Sequence, residues 1–433
     1  MLPRRTLAAS GSKFDVCIVG GGIVGCAVAC ELLRRAPHLR VLQLEQEDAR
    51  GYHSTGRSAA LTTAGYGAPG VRALCAASRG LLEGSSGGGA PSVLSPRGFL
   101  WLAGAGREER LEAFEASRGG AAGVELHRLT ARGAAELVPA LREEQLAATA
   151  LLEPGACDVD VSALMARYAR AGAEVVCGAR VVRLERRRAA GGWAVGAAVR
   201  GEQREFVAGA LVNAAGAWAD GVAAMAGFAP VGLRPLRRTC VTVPVATAGD
   251  GDEQQQRRRG RQQQQPPSWR SWPMCIDLDD RFYFKPEAGA MLVSLADETP
   301  DEPCDARPEE LDVARCMHAL HAHTHLGGGG VQPIATWAGH RTFAPDREPV
   351  LGEQLDAAGQ RGGSDARVAG GGDGTGFFWA AGLGGDGIQT SPAVAALVAS
   401  QVLGVPLQGE AAACIGDASL FSPMRCFRDA ARS

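Results

Sequence analysis

Gly20-Gly21-Gly22-Ile23-Val24-Gly25 has the form GxGxxG, and its residue types suit one task. Gly20 permits a tight turn, Gly22 lets backbone approach a pyrophosphate, and Gly25 lets a following helix pack on the preceding strand. The unpaired N–H groups and the dipole at the start of that helix favour an anion. Glu45, with Gln46 beside it, ends the next apolar run, where a carboxylate would accept hydrogen bonds from ribose hydroxyls. This pattern predicts a dinucleotide site and leaves nicotinamide and flavin forms both open. A second glycine-rich turn, Gly384-Gly385-Asp386-Gly387-Ile388-Gln389, leads into an apolar run ending at Leu403. Backbone N–H groups at such a helix start would stabilise negative charge on a bound ring.

The elements that must position these turns are readable in part. Phe14–Val19 is apolar except for Asp15, as expected of a parallel strand buried on both faces. Ile23–Arg35 has helical spacing, closed by Pro37, and Val41–Glu45 reads as the next strand. Further on, 161–172 reads as a helix, 174–184 and 193–199 as strands, and 210–215 as an apolar run. Phe377–Ala381 reads as a strand. Ser391 as N-cap, Pro392 in the first turn and Gly404 as a stop predict a helix from Pro392 to Leu403. Thr247–Arg270, Gln360–Gly376 and Gly84–Gly89 are low-complexity stretches, expected to be disordered insertions.

Composition limits the function classes. The chain has 433 residues, 46% hydrophobic and 21% charged, with a net charge of −2, so nothing draws it to nucleic acid. No apolar run reaches about 18 residues, so no membrane-spanning helix is expected. Twelve cysteines are scattered without a CxxC pair, which predicts reduced thiols and an intracellular setting. The basic stretch Met1–Lys13 leaves an organelle (mitochondrion or plastid) as an alternative to the cytoplasm. His318, His321, His323 and His325 lack a matching carboxylate pair and read as a solvated helix end, so no metal is expected.

Several phrases then recur in a telling order. They are Gly51–Ala60, Tyr66-Gly67, Val71–Leu74, Leu94–Arg97, Leu211–Trp218, Arg237-Arg238, Trp272–Met274, Phe282–Pro286, Thr336–Arg341, Gly376–Trp379 and Gly384–Ser391. With them the chain resembles the FAD-dependent D-amino-acid oxidase superfamily, most closely its bacterial D-arginine dehydrogenase branch. The resemblance covers nearly the whole chain outside the insertions. It implies an α/β protein: a Rossmann-like FAD-binding domain from 14–90, 150–230 and 335–425, with a discontinuous antiparallel-sheet substrate domain from 91–149 and 231–334.

The resemblance also implies roles. FAD would be bound without a covalent link. Gly20, Gly22, Ile23, Val24, Gly25, Glu45 and Gln46 would hold its adenosine and pyrophosphate, with the Val181 backbone at the adenine. Ser54, Thr55, Gly56, Arg57, Ser58, Ala59 and Ala60 would line the flavin. Ala215 and Gly216 would sit beside it, and Gly384, Gly385, Gly387, Ile388 and Gln389 would reach its pyrimidine edge. Arg341 would grip a substrate carboxylate bidentately and Tyr283 would donate its hydroxyl, with Tyr66 and Arg238 nearby. The Gly385 carbonyl would accept from the substrate amine, and Met274, Ile276 and Ile388 would form an apolar wall.

Three positions depart from the branch: Leu61 replaces a histidine, Ala90 a side-chain-binding glutamate, and Asp386 an aromatic residue. Glu83 is the nearest carboxylate able to stand in for the lost glutamate. The implied activity is oxidation of a small D-amino acid by hydride transfer to flavin N5, giving an imino acid, then a 2-oxo acid and ammonia. Oxygen or a quinone would take the electrons. A 2-hydroxy acid, a sarcosine-like secondary amine, or flavin binding without turnover are the alternatives.

Overall fold

The Lys13–Val19 strand, buried on both faces from Val16 onward, lies at the middle of an eight-stranded sheet. Val41–Glu45 and Glu202–Asn213 flank it in parallel, so Val19 pairs with both Leu44 and Asn213. Glu174–Cys177 and Phe377–Ala381 extend the parallel run outward on the two sides. The computed structural model describes residues 11–84, 91–118, 124–187, 191–245, 268–279, 281–326, 330–355 and 375–428. Helices Ile23–Arg35, Pro69–Glu83 and Gly387–Leu403 cover one face of this sheet around Val28, Leu32, Leu74 and Val398. Trp193, Phe206, Phe377 and Trp379 fill the other.

The Gly387–Leu403 helix begins earlier than Ser391-Pro392 suggests. Asp386 occupies the N-cap position and Pro392 lies inside the helix. A proline there removes the backbone bond to the Ile388 carbonyl. The Ser391 hydroxyl, read as the cap, instead donates to that same carbonyl at 2.9 Å. The left-handed stop at Gly404 (φ 69°) stands as expected.

A ten-stranded sheet forms the other half. Its order runs Leu383–Gly384, Ala335–Phe343, Arg234–Val243, Ala290–Ser294, Tyr283–Glu287, Met274–Asp277, Phe99–Leu102, Thr149–Glu153, His127–Thr130, with Thr299–Pro300 beside Arg234–Val243. Two expected boundaries move. Ala335–Phe343, placed with the cofactor segments from the sequence, pairs along its length with Arg234–Val243. Thr149–Glu153 pairs with Phe99–Leu102, so the boundary at 150 falls inside a strand. Alternating burial along these strands, with glycine and charge interspersed, hides them from a search for continuous apolar runs.

The low-complexity stretches lie mostly outside the described residues, but their edges are structured. Gly84 (φ 79°) closes the Pro69–Glu83 helix. Trp269, inside the expected insertion, is buried in a short turn with the Arg270 guanidinium over its ring. Thr375 is buried too, its hydroxyl accepting from the Phe377 N–H. Among the described residues, no helix is long and apolar enough to cross a membrane.

Lys285, on the second sheet, is 1% exposed. Its ammonium bonds Asp158 at 2.8 Å and Glu287 at 2.7 Å, while Arg97 holds the other Asp158 oxygen. The cluster ties this sheet to the small sheet of Leu61–Thr62, Leu94–Pro96 and Cys157–Val159. Lys285→Ala should lower stability by about 2–4 kcal/mol, because a buried ion pair loses one member while Asp158 keeps Arg97. Urea unfolding checks this; an unchanged midpoint would contradict it.

Candidate active site

The glycine turn sits at the carboxyl ends of the central parallel strands, where an open α/β sheet leaves a crevice. Gly20 has φ 113°, and a side chain there would strike the Ala214 carbonyl. A methyl at Gly25 would strike the Gly20 carbonyl oxygen, so Gly25 works inside the turn and does not face the cavity. At Gly22 a Cβ would meet only Thr55 Oγ1, at 3.5 Å. The space in front of Gly22 is therefore free for a ligand. Glu45, buried, accepts from the Gly21 N–H at 2.7 Å and the Glu47 N–H at 2.9 Å, so its carboxylate holds the turn as well as facing the cleft.

From Glu45 and Gln46 a continuous cavity of about 430 Å³ runs past Val181, Ala215 and Gly216 to Arg341. Gly20, Gly22, Ile23 and Val24 line it, as do Ser54, Thr55, Arg57, Ser58, Ala59 and Ala60. Gly384, Gly385, Gly387, Ile388 and Gln389 close the far side. Gly56 is not on the wall, and Ala90 lies outside the described residues. Arg57 reaches the wall, but its guanidinium donates to the Ala306 and Ala338 carbonyls and pairs with Asp305, away from any ligand.

The helix start at Gly387 is braced from behind. Gln389 Oε1 accepts from the Thr63 N–H at 2.9 Å and its Nε2 donates to Asp386 at 2.8 Å. Glu153, missed in the sequence, accepts from the Thr63 hydroxyl and the Ala64 N–H. Burial pushes its carboxyl above the ordinary value against those bonds. This network fixes the turn that carries Tyr66, whose ring stacks on Trp101 with centroids 6.0 Å apart.

Arg341 projects into the opposite end. Among the described residues no hydrogen bond or ion pair occupies its guanidinium. Burial works against its charge, but the surrounding Tyr283, Tyr66 and Asp386 outweigh that and keep it cationic. A Cβ on Gly385 would stand 2.7 Å from Arg341 Cζ, so the guanidinium lies directly against the glycine backbone. Tyr283 is buried beside it, its hydroxyl 3.7 Å from Cys240 Sγ, and burial pushes its acidity down so that it remains protonated. Met274, Ile276 and Leu61 supply apolar surface here.

Arg238 lines the cavity, but its guanidinium is engaged by the protein. It donates to the Ala296 and Asp297 carbonyls at 2.7 and 3.1 Å, bracing that turn. Glu83 bonds Arg79 on the surface and does not replace the lost glutamate in the cavity. Of the four histidines, His318, His321 and His325 are exposed, and His323 is half-buried against Phe282 with centroids 4.3 Å apart. Sequence reasoning also passed over Cys240, His53 and Trp218 on the wall. Cys240 was within reach, since it follows Arg238 by two residues on one strand and shares its face.

A mixed sheet with a parallel centre and a glycine turn, opening on a cleft roofed by a second sheet that is antiparallel except where Met274–Asp277 runs parallel to Phe99–Leu102, defines a dinucleotide-binding α/β fold. The family described as FAD dependent oxidoreductase (DAO) matches residues 15–401; the chain belongs to this family, and its cofactor is FAD. Glycine oxidase from Geobacillus kaustophilus is similar in structure, with TM-score 0.72 and 24% identity over 96% of this chain and 99% of that one. L-proline dehydrogenase from P. horikoshii gives 0.71 and 20% over 98% and 99%. Mitochondrial L-2-hydroxyglutarate dehydrogenase from Caenorhabditis elegans is 46% identical over 59 residues, only 13% of this chain and 14% of that protein. The human protein is 45% identical over 58 residues, 13% and 12%.

The open space at Gly22, the helix N–H groups and the Glu45 carboxylate fit this cofactor. Gly22→Ala should fold normally and lose FAD, because the new methyl fills only the ligand's space. Gly25→Ala should fail to fold, because it drives the helix off the strand. Flavin absorbance and circular dichroism of the two variants distinguish these outcomes.

Proposed function

We propose that the protein oxidises the Cα–N bond of a small α-amino acid, its carboxylate held by Arg341 and Tyr283. The observation that carries this reading is the cationic Arg341 guanidinium, which makes no hydrogen bond or ion pair among the described residues, on the cavity wall beside Gly385. A bidentate carboxylate is the natural complement of such a fork. FAD, when bound, accepts the hydride. Fixing the carboxylate at Arg341 and Tyr283 would orient the Cα–H toward the Gly384–Gln389 turn, and the helix N–H groups there would stabilise negative charge. The imino acid so formed hydrolyses to a 2-oxo acid and ammonia.

An amine suits this site better than an alcohol. Tyr283 and Cys240 are both held protonated by burial, so neither removes a proton near neutral pH. A neutral amine brings its own lone pair; an alcohol needs its O–H proton taken. Asp386 and Glu45 are the carboxylates among the described lining residues, and only Asp386 stands near Arg341. Arg341 and Asp386 at one end complement the zwitterion on binding, and its ammonium sheds a proton to give the neutral amine that reacts. The D configuration is supported by the sequence resemblance. Met274 and Ile276 favour apolar side chains such as D-leucine or D-methionine over D-arginine. The second reading, a 2-hydroxy acid, has the short matches to L-2-hydroxyglutarate dehydrogenases in its favour.

Under anaerobic conditions D-amino acids should bleach the flavin absorbance, and 2-hydroxy acids should not; bleaching by hydroxy acids alone would reverse the reading. D-leucine should exceed D-arginine in kcat/KM, and a tenfold lead for D-arginine would contradict the apolar wall. Arg341→Ala should cost about 2–5 kcal/mol of substrate binding with flavin content intact. Tyr283→Phe should cost about 1–3 kcal/mol. Turnover unchanged in Arg341→Ala would mean that the carboxylate binds elsewhere.

A further inference from the structure

His340 precedes Arg341 on the Ala335–Phe343 strand, so the two side chains leave it on opposite faces. On its own side His340 Nε2 lies 3.0 Å from Asp301 Oδ2 and 3.9 Å from Cys304 Sγ. The Cys304 sulfur is 3.7 Å from the same Asp301 oxygen. Among the described residues this is the one group of three potential metal ligands whose donor atoms lie within 4.8 Å of one another. We propose that Asp301, Cys304 and His340 form a binding site for a single zinc-like divalent cation, with solvent as the fourth ligand.

The geometry is already close to what such an ion requires. Zinc bonds of about 2.3 Å to sulfur and 2.0–2.2 Å to nitrogen or oxygen set tetrahedral ligand edges of roughly 3.3–3.6 Å. The observed triangle differs from that by a few tenths of an ångström. The donor set selects the metal: a thiolate and an imidazole disfavour magnesium and calcium, which take oxygen ligands. One carboxylate and one thiolate neutralise the ion.

The neighbouring cations do not block it. Arg237 is held by Glu309 at 2.6 Å and Asp312 at 3.2 Å, and Arg57 by Asp305. Cys304 is exposed, which leaves the fourth position open to water. Burial and the Asp301 charge keep the free thiol above its ordinary pKa, so it is not an activated nucleophile. A bound ion would fasten the 301–304 segment to the strand that carries Arg341. The His340 carbonyl on that strand also accepts from the Ser54 hydroxyl of the cofactor loop, 2.8 Å away.

The test uses untagged holoenzyme, incubated with zinc, dialysed, and analysed for metal and flavin together. The wild type should retain one zinc per chain and show a higher Tm with zinc than without. Cys304→Ala, at an exposed position, should keep its flavin and circular dichroism while binding zinc about 100-fold more weakly, in competition with a chromophoric chelator. Asp301→Asn should weaken zinc in the same direction. Wild-type protein without stoichiometric zinc, or Cys304→Ala that binds zinc as tightly as the wild type, overturns the site.

Discussion

Two residue pairs join the halves of this molecule at the place where chemistry would occur. Thr342 pairs with Gly384 and Phe343 with Leu383. The chain leaves the first sheet at Ala381, pairs with the second for two residues, and returns to the first as the Gly387 helix. Gly384 takes φ 55° so that the Phe343 ring can occupy the space of its side chain. Gly385 is thereby pressed on Arg341. The Gly387 helix start and the Arg341 guanidinium, both on the cavity wall, are thus separated by two residues of stiff backbone. Their relative position is set by strand pairing rather than by loop conformation.

This junction explains how a guanidinium persists on a buried wall without a hydrogen-bonded protein carboxylate. Losing hydration is costly for a charge that has no partner. Arg341 is compensated in part by the oxygen atoms of Tyr283, Tyr66 and Asp386 around it, and the cavity gives access to a ligand anion. The neighbouring arginines tell the opposite story. Arg238 and Arg57 are satisfied by backbone carbonyls, and so act as struts across turns.

How much of this was legible in the sequence follows from the range of each interaction. The strand–turn–helix–strand at 14–45 is local, and both its apolar pattern and its glycines have single readings; Ile23–Arg35 and Val41–Glu45 stand as expected. The pairing of Ala335–Phe343 with Arg234–Val243 is not legible, because that partner is far away in the chain and nothing in the strand's own residues names it. The start of the last helix was misplaced because Ser391-Pro392 is a strong local cap signal that here repairs an interior proline. The positions of Arg341 and Tyr283 on the cavity wall followed from motifs. The engagement of Arg57 and Arg238 did not, since a backbone carbonyl leaves no mark in sequence. Glu153 escaped for the same reason: two of its three donors are main-chain N–H groups.

The Gly387–Leu403 helix packs against Ile23–Arg35, and Phe377–Ala381 completes the parallel run begun by Lys13–Val19. The first βαβ unit finds its neighbours at 174–177 and 202–213 earlier in synthesis, but this cover only once the ribosome has passed Leu403. Until then the apolar face of the Ile23–Arg35 helix waits without its cover, and such surfaces bind chaperones or one another. The cavity that fits FAD is lined both by the Gly20–Gly22 turn and by the Gly384–Gln389 turn, made more than 350 residues apart. Cofactor supply during biosynthesis would thus bear on the yield of folded protein, because a ligand that touches two turns so far apart in the chain favours the closed state by mass action.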